Sequence, residues 1–179
     1  MAQFKAFAPG VEVKGAAVIA VVKGMGAFET SARRFLAEEQ IVDLREQGWY
    51  PQQAWLNAFR AIAEKLGPAT LRQIGTKIPE SAAWPPTVNS IEKALASIDR
   101  AYHMNHRGGE IGYYRFEKTG EKSGLMVCGN PYPCAFDLGL IDATVKRFSL
   151  RGAFFQVVHD AATACRQKGG ETCTYQVSW

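Results

Sequence analysis

The strongest constraint on the fold of this chain is a change in the spacing of its apolar residues near Gly108-Gly109. Before that point apolar residues recur every three or four positions, and after it they alternate with polar ones. Helices followed by strands indicate an α+β architecture rather than alternating βαβ units. We therefore predict one domain over residues 1–179, in which a helical part (1–107) packs on a C-terminal part (108–179) formed by an antiparallel sheet of about four strands with an inserted helix.

Apolar periodicity and turn residues predict five helices in the first part. The third is the best delimited, because Pro51 stands near its start and Gly67 can end it in a left-handed conformation. Thr87 is the predicted cap of the fifth helix, after a loop from Pro79 to Pro86. The predicted helices span 11–28, 30–47, 51–66, a shorter stretch from Pro68 to about Ile78, and 87–102.

The second part is predicted to contain four strands and one helix. If the last turn centres on Gly169, Cys165 and Cys173 are cross-strand neighbours with Cβ atoms about 4.5–5.5 Å apart, a spacing that suits two thiolates sharing a metal. A slip of one residue would place them on opposite faces. The predicted elements are a hairpin of strands 112–118 and 122–128, a helix at 135–150, a strand at 153–159, and a hairpin formed by Cys165–Trp179 around Gly169-Gly170.

All four cysteines of the chain, Cys128, Cys134, Cys165 and Cys173, lie in the second part. No signal-peptide pattern is present, so we expect a cytoplasmic protein whose thiols stay reduced. Under those conditions the cysteines can form a structural zinc site. Unmetallated buried thiols and a disulfide or redox pair are the other interpretations, since cysteine is often buried without further function.

Charge and hydropathy restrict the classes of partner. The net charge is +4, and the basic residues are scattered rather than grouped in a stripe, so we expect no nucleic-acid binding. The longest apolar stretch, Ala16 to Val22, is too short to span a bilayer, so we expect no membrane span.

Two segments of the second part carry a resemblance to a known family: Cys134-Ala-Phe-Asp-Leu-Gly139 and Cys165-Arg-Gln-Lys-Gly-Gly-Glu-Thr-Cys173-Thr-Tyr. They resemble the 4-vinyl-reductase-type domain, which is similar in fold to haem-nitric-oxide-binding domains and to subunits of the TRAPP tethering complexes. The resemblance implies N-terminal helices packed on a C-terminal antiparallel sheet, and a module that binds small molecules. In versions from phenol- and toluene-sensing activators, a structural zinc lies beside an aromatic-ligand pocket.

The resemblance also implies a ligand set for the zinc. Three cysteine positions of the family match Cys134, Cys165 and Cys173. The family's glutamate position is occupied by Ala162, so another residue must supply the fourth ligand. Cys128 is the predicted replacement, and His159 and Asp160 are the alternatives.

Aromatic residues are numerous enough to frame an apolar pocket, which we predict between the third and fifth helices and the first hairpin. Most of them would suit an ordinary core equally well. The loop from Pro79 to Pro86 either covers the pocket or is a stiff connection. The predicted ligand-contacting residues are Trp55, Phe59, Trp84, Tyr102, Tyr113 and Phe116.

The sequence thus favours a sensory domain that binds an apolar or aromatic molecule and acts as a homodimer or through a separate output protein. The alternatives are an enzyme of the tetrapyrrole vinyl-reduction or thiazoline-hydrolysis type, a haem-binding gas sensor, and a scaffold or tethering protein. His103 or His106 would supply the haem ligand. No GxGxxG motif follows a strand, and no nucleophile motif stands beside His159, so we predict no catalytic residue.

Overall fold

The computed structural model describes residues 3–160, 162 and 165–179, and the chain is α+β, as predicted. No helix among the described residues is long and apolar enough to cross a membrane. The helices are α1 (Gly15–Gly24), α2 (Glu29–Glu38), α3 (Gln52–Leu66), α4 (Pro68–Ser81), α5 (Ile91–Met104) and α6 (Cys134–Phe148). The strands are β1 (Glu12–Lys14), β2 (Trp49–Pro51), β3 (His106–Arg107), β4 (Tyr113–Gly120), β5 (Ser123–Gly129), β6 (Gln156–His159) and β7 (Cys173–Ser178).

The larger sheet lies in the C-terminal half and has the strand order β4-β5-β7-β6. All three of its strand pairs are antiparallel. The last strand, β7, is central, and its alternate residues Cys173, Tyr175 and Val177 are buried. The inserted helix, α6, connects β5 to β6, as the sequence predicted.

A second sheet with the order β2-β1-β3 was not predicted, because its strands hold only two or three residues and show no readable alternation. Its central strand buries Val13, which the sequence assigned to a helix starting at residue 11. The first helix begins instead at Gly15. This sheet brings His106 next to Val13, in antiparallel register.

Three other helix boundaries differ from the predictions. Helix α2 ends at Glu38 rather than 47, and the following turn is fixed by the Tyr50 hydroxyl, which donates to the Asp43 carbonyl at 2.5 Å. Helix α5 is capped by Ser90 rather than Thr87, since the Ser90 hydroxyl accepts from the Lys93 N–H. Helix α4 continues through Pro79, which the sequence placed in a loop.

The predicted hairpin around Gly169-Gly170 is also wrong. Strand β7 pairs with β5 and β6, and Cys173 lies opposite Cys128 rather than Cys165. Cys165 precedes a 3-10 turn, and its carbonyl accepts from the N–H groups of Lys168 and Gly170 at 2.8 and 2.9 Å. Gly169 has φ +88°, a left-handed conformation that closes this turn.

Two glycines position α6 against α4. A Cβ atom on Gly75 would lie 2.2 Å from the Phe136 carbonyl oxygen, and one on Gly139 would lie 2.0 Å from the Arg72 carbonyl oxygen. The two helix backbones can therefore approach closely only because both positions lack side chains. This contact fixes the helix that begins at Cys134.

Candidate functional site

Four potential metal ligands converge from separate segments of the C-terminal half: Cys134, His159, Cys165 and Cys173. Cys134 is the first residue of α6, His159 is the last of β6, and Cys173 is the first of β7. Cys165 enters from the turn that folds back on its own carbonyl group. One ligand atom from each residue lies within 4.8 Å of the others.

The sulfur atoms lie slightly closer together than a tetrahedral metal requires. The Sγ atom of Cys134 lies 3.3 Å from that of Cys165 and 3.3 Å from that of Cys173, and the latter two are 3.7 Å apart. A tetrahedral zinc with Zn–S bonds of about 2.3 Å separates its sulfur atoms by about 3.8 Å. Small outward shifts of the three thiols would accommodate the ion.

The structure places His159, one of the two alternatives, with the three thiols, whereas the predicted fourth residue, Cys128, is not part of the cluster. Cys128 stays within β5, is 0% exposed and packs in the apolar core. His159 reaches the cluster because β6 pairs with β7 on the side away from β5. The Nε2 atom of His159 is buried and has no hydrogen-bond partner among the described residues, and a metal would satisfy it.

The electrostatics of the thiols already favour an anion at Cys134. Hydrogen bonding from Cys173 lowers the pKa of the Cys134 thiol, against an opposing effect of burial, and Cys165 and Gln3 act in the same direction. The side-chain amide of Gln3 donates to Cys134 Sγ at 2.7 Å. The same contact with Cys134 raises the pKa of Cys173, and burial raises it further. Thiolates are the metal-binding form of cysteine.

A cavity of about 610 Å³ lies among the helices. Its size falls in the range of small-molecule sites. Helix α6 contributes Phe136, Leu140 and Thr144 to its wall. The segment after α4 closes one side through Trp84, whose indole N–H donates to the Pro79 carbonyl at 2.9 Å. The remaining wall comes mainly from α1, the end of α4 and α5.

The structure brings three of the six predicted ligand-contacting residues to this cavity, namely Trp55, Trp84 and Tyr102. Phe59 is fully buried behind Trp55, with ring centroids 4.4 Å apart. Tyr113 is 37% exposed and Phe116 packs near Trp179, so neither lines the cavity.

Tyr114, Tyr132 and His106 also line the cavity. None was among the six predicted ligand-contacting residues, although His106 was named as a candidate haem ligand. Tyr114 could have been found from the strand period: Tyr113 and Phe116 are three residues apart and cannot share one face, whereas Tyr114 and Phe116 can. Tyr132 and His106 carried no comparable periodicity, because Tyr132 lies in the short loop after β5 and His106 lies in the two-residue strand β3, so the direction of both side chains depends on tertiary packing.

His106 and Tyr132 form a buried polar pair in the wall. The Nδ1 atom of His106 is 2.8 Å from the Tyr102 carbonyl, and its Nε2 atom is 2.8 Å from the Tyr132 hydroxyl. Burial lowers the pKa of His106 to about 4. The imidazole is therefore neutral near pH 7, with Nδ1 as donor and Nε2 as acceptor.

A buried carboxyl group of α6 is hydrogen-bonded to Tyr114 of the cavity wall. Asp137 is 1% exposed and accepts a hydrogen bond from the Tyr114 hydroxyl at 2.6 Å. The amide of Asn130 lies 3.4 Å from its other oxygen. Burial raises the pKa of Asp137 to about 7.

Comparison with known proteins places the fold. No protein-family model matches the chain, and no curated protein matches it. Solved structures of H-NOX (haem-nitric-oxide-binding) proteins do match in fold. An H-NOX protein from S. oneidensis in the Fe(II)NO ligation state superposes with a TM-score of 0.68 at 14% identity, covering 92% of this chain and 98% of that one.

Two further structures agree. An Fe(II) unliganded H-NOX mutant from K. algicida gives a TM-score of 0.66 at 13% identity, covering 92% of this chain and 95% of that one. An oxygen-binding H-NOX domain related to soluble guanylate cyclases gives 0.69 at 15% identity, covering 92% and 94%. Over nearly its whole length, this chain therefore has the fold of H-NOX domains.

Proposed function

We propose that this chain is a sensory domain that binds a small apolar or aromatic molecule in the cavity. The observation that carries the proposal is the cavity of about 610 Å³ itself, which is walled mainly by apolar side chains and covered by the Trp84 segment. Several polar groups of the wall, such as Tyr102 and Tyr114, are hydrogen-bonded to protein groups. This arrangement suits binding better than chemistry at the wall. A second copy or a separate output protein would then read the bound state.

The cluster of Cys134, His159, Cys165 and Cys173 supports a structural zinc site as a second part of the proposal. Three thiolates and one imidazole are a donor set typical of structural zinc. Four protein ligands leave no open coordination position, so the ion would hold α6, β6 and β7 together. Elemental analysis of freshly purified, reduced protein should find one zinc per chain, and a value well below one would contradict this assignment.

Haem in the same cavity is a second candidate, favoured by the fold and by His106. The structural neighbours include proteins with Fe(II), NO and oxygen ligation, and one such structure concerns haem redox potential and porphyrin distortion. His106 would be the residue that holds the haem iron, because its imidazole is neutral, lines the cavity, and can donate from Nδ1 to a backbone carbonyl, as metal-bound histidines commonly do. A bound haem iron would supply a coordination site for a diatomic gas.

The Nε2 atom of His106 would have to exchange its contact with the Tyr132 hydroxyl for iron. Haem titration followed by absorption spectroscopy tests this candidate. A Soret band that is altered by His106→Gln and retained by His103→Gln would support it. Spectra unchanged by His106→Gln would contradict axial ligation by His106, and the absence of any haem-induced band would remove haem as the ligand.

Native mass spectrometry and a thermal-shift screen test the broader proposal. A ligand that binds only the folded state raises the melting temperature as its concentration exceeds the dissociation constant. The screen should contain phenols, aromatic acids, fatty acids and tetrapyrroles. If no compound shifts the transition and no retained molecule is found by mass spectrometry, the sensory proposal fails and a scaffold protein replaces it.

A further inference from the structure

The charges around the cavity are uneven. Among the described residues that line it, Arg100 is the one with a side chain charged at every physiological pH, and none is aspartate, glutamate or lysine. His106 is neutral near pH 7, because burial lowers its pKa to about 4. The wall is otherwise apolar or carries neutral polar groups.

Arg100 has no partner within the described part of the chain. Its side chain takes part in none of the described hydrogen bonds, ion pairs or cation–π contacts. The positions three and four residues away on α5, where a carboxylate would pair with it, are Ala96, Ser97, His103 and Met104.

The acidic residues of the same helix are engaged elsewhere. An oxygen of Asp99 accepts from the Tyr114 N–H at 2.8 Å, and the other lies 3.5 Å from Nδ1 of His103. Glu92 pairs with Lys118 at 2.7 Å. The Arg100 guanidinium is exposed and left available at the edge of an apolar cavity.

We propose that the ligand is a monocarboxylic acid with an apolar body, whose carboxylate pairs with Arg100 while the body lies in the cavity. This inference rests on the proposed function and specifies its ligand class. A guanidinium matches a carboxylate with two parallel hydrogen bonds. Because Arg100 is exposed, the pair keeps part of its hydration and avoids the desolvation penalty of a buried ion pair. The burial of the apolar body supplies most of the affinity.

The volume sets the scale of the ligand. About 610 Å³ lies within the range of roughly 300–1,000 Å³ that is typical of small-molecule sites. A flexible acyl chain of medium length fits within that space and leaves its head group at the edge. Decanoic acid and 1-decanol are therefore suitable probes, since they share an apolar chain and differ in the charge of the head group.

The experiment is isothermal titration calorimetry of the metal-loaded protein with each probe at pH 8 in low and high salt. We expect decanoate to bind at least about tenfold more tightly than decanol, and the ratio to shrink at high salt. Arg100→Gln should reduce the ratio to about twofold or less. Arg147→Gln, which removes an exposed arginine of α6 outside the cavity wall, should leave the ratio unchanged.

Equal binding of the acid and the alcohol would overturn this inference while leaving the cavity as the ligand site. A preference for the acid that survives Arg100→Gln would also overturn it, because another group would then recognise the carboxylate. If neither probe binds, the inference is wrong, and the thermal-shift screen and a cavity-filling variant decide separately whether the cavity binds any ligand.

Discussion

The cluster of Cys134, His159, Cys165 and Cys173 and the cavity satisfy their polar groups in different ways. At the cluster, three sulfur atoms and a nitrogen converge, and His159 Nε2 has no hydrogen-bond partner among the described residues. In the cavity wall, the polar groups of Tyr102, Tyr114 and Trp84 are bonded to the protein itself. The donor atoms of the first region therefore restrict the chemistry of a possible occupant, whereas the second region restricts mainly the size and polarity of one.

The largest expected effect tests the proposed metal site. Cys173→Ser should abolish stoichiometric metal binding, because one of four ligands is lost. Loss of a structural metal belongs to the class of changes that cost at least about 4 kcal/mol. For a chain of this size we expect the melting temperature to fall by about 8–16 °C. Elemental analysis and differential scanning calorimetry measure the two results.

The matched variants for that experiment are His159→Ala and Cys128→Ala. His159→Ala should also lose the metal, whereas Cys128→Ala should retain one metal per chain even if it loses some stability from the core. Retention of the metal by His159→Ala together with its loss in Cys128→Ala would reverse the assignment of the fourth ligand.

A smaller effect concerns the pH dependence of stability that arises from His106 in the cavity wall. The pKa of His106 is lowered to about 4 in the folded state, so between that value and about 6.5 the unfolded chain binds a proton that the folded chain does not. The contribution of His106 to stability therefore falls as the pH falls through this window, by about 2 kcal/mol from pH 7 to pH 5. The raised pKa of Asp137 contributes in the opposite direction, because the folded chain then binds a proton that the unfolded chain does not. Urea denaturation of the wild type and of His106→Gln at both pH values measures the His106 contribution as the difference between the two proteins.

His106→Gln should remove this contribution to the pH dependence, whereas His103→Gln, at an exposed histidine of α5, should preserve it. An unchanged pH dependence in His106→Gln would show that the folded protein accommodates a charged His106.

The third prediction concerns a substitution that fills part of the cavity. Ala17→Leu adds apolar volume to the wall, so it should weaken ligand binding by about tenfold or more, which corresponds to about 1.4 kcal/mol. Cavity filling commonly preserves or raises stability, so the free energy of unfolding should not decrease. Ala37→Leu, at an exposed position of α2, is the control for a general effect of the substitution. Unaltered affinity in Ala17→Leu would place the ligand elsewhere.

The smallest effect concerns Gln3, at the edge of the proposed metal site. Gln3→Ala removes the hydrogen bond to Cys134 Sγ and should cost about 1 kcal/mol, without loss of the metal. Gln53→Ala is a comparison variant, because Gln53 also holds the N-terminal segment, through Phe4 and Ala6, but does not contact the cluster. Loss of the metal in Gln3→Ala would contradict this prediction, because it would show that the hydrogen bond from Gln3 to Cys134 Sγ is required for metal binding.

The predictability of the two regions from sequence also differs. The helix from Gln52 to Leu66 and the inserted helix were predicted well, because their periods and turn residues are local. The meeting of Cys134, Cys165 and Cys173 was predicted from a resemblance, although the predicted hairpin was wrong. The sequence could not favour His159 over Cys128 as the fourth residue of the cluster. The two residues lie on β6 and β5, the two neighbours of β7, and which neighbour faces the cluster is decided by tertiary packing. In the cavity, residues on long periodic elements, such as Trp55, were predicted as lining residues. The position of His106 could not be predicted in the same way, because it depends on a sheet of very short strands.

Helix α6 begins at Cys134, a member of the Cys134–His159–Cys165–Cys173 cluster, and continues as a wall of the cavity through Phe136, Leu140 and Thr144. Because α6 is one continuous helix, a displacement of its cavity-facing residues would also displace Cys134, and the close contact with α4 at Gly75 and Gly139 leaves little room for independent adjustment. If binding of a ligand changes the position of α6, the affinity of the protein for the metal changes by some factor. Thermodynamic reciprocity then requires the metal to change the ligand's affinity by the same factor.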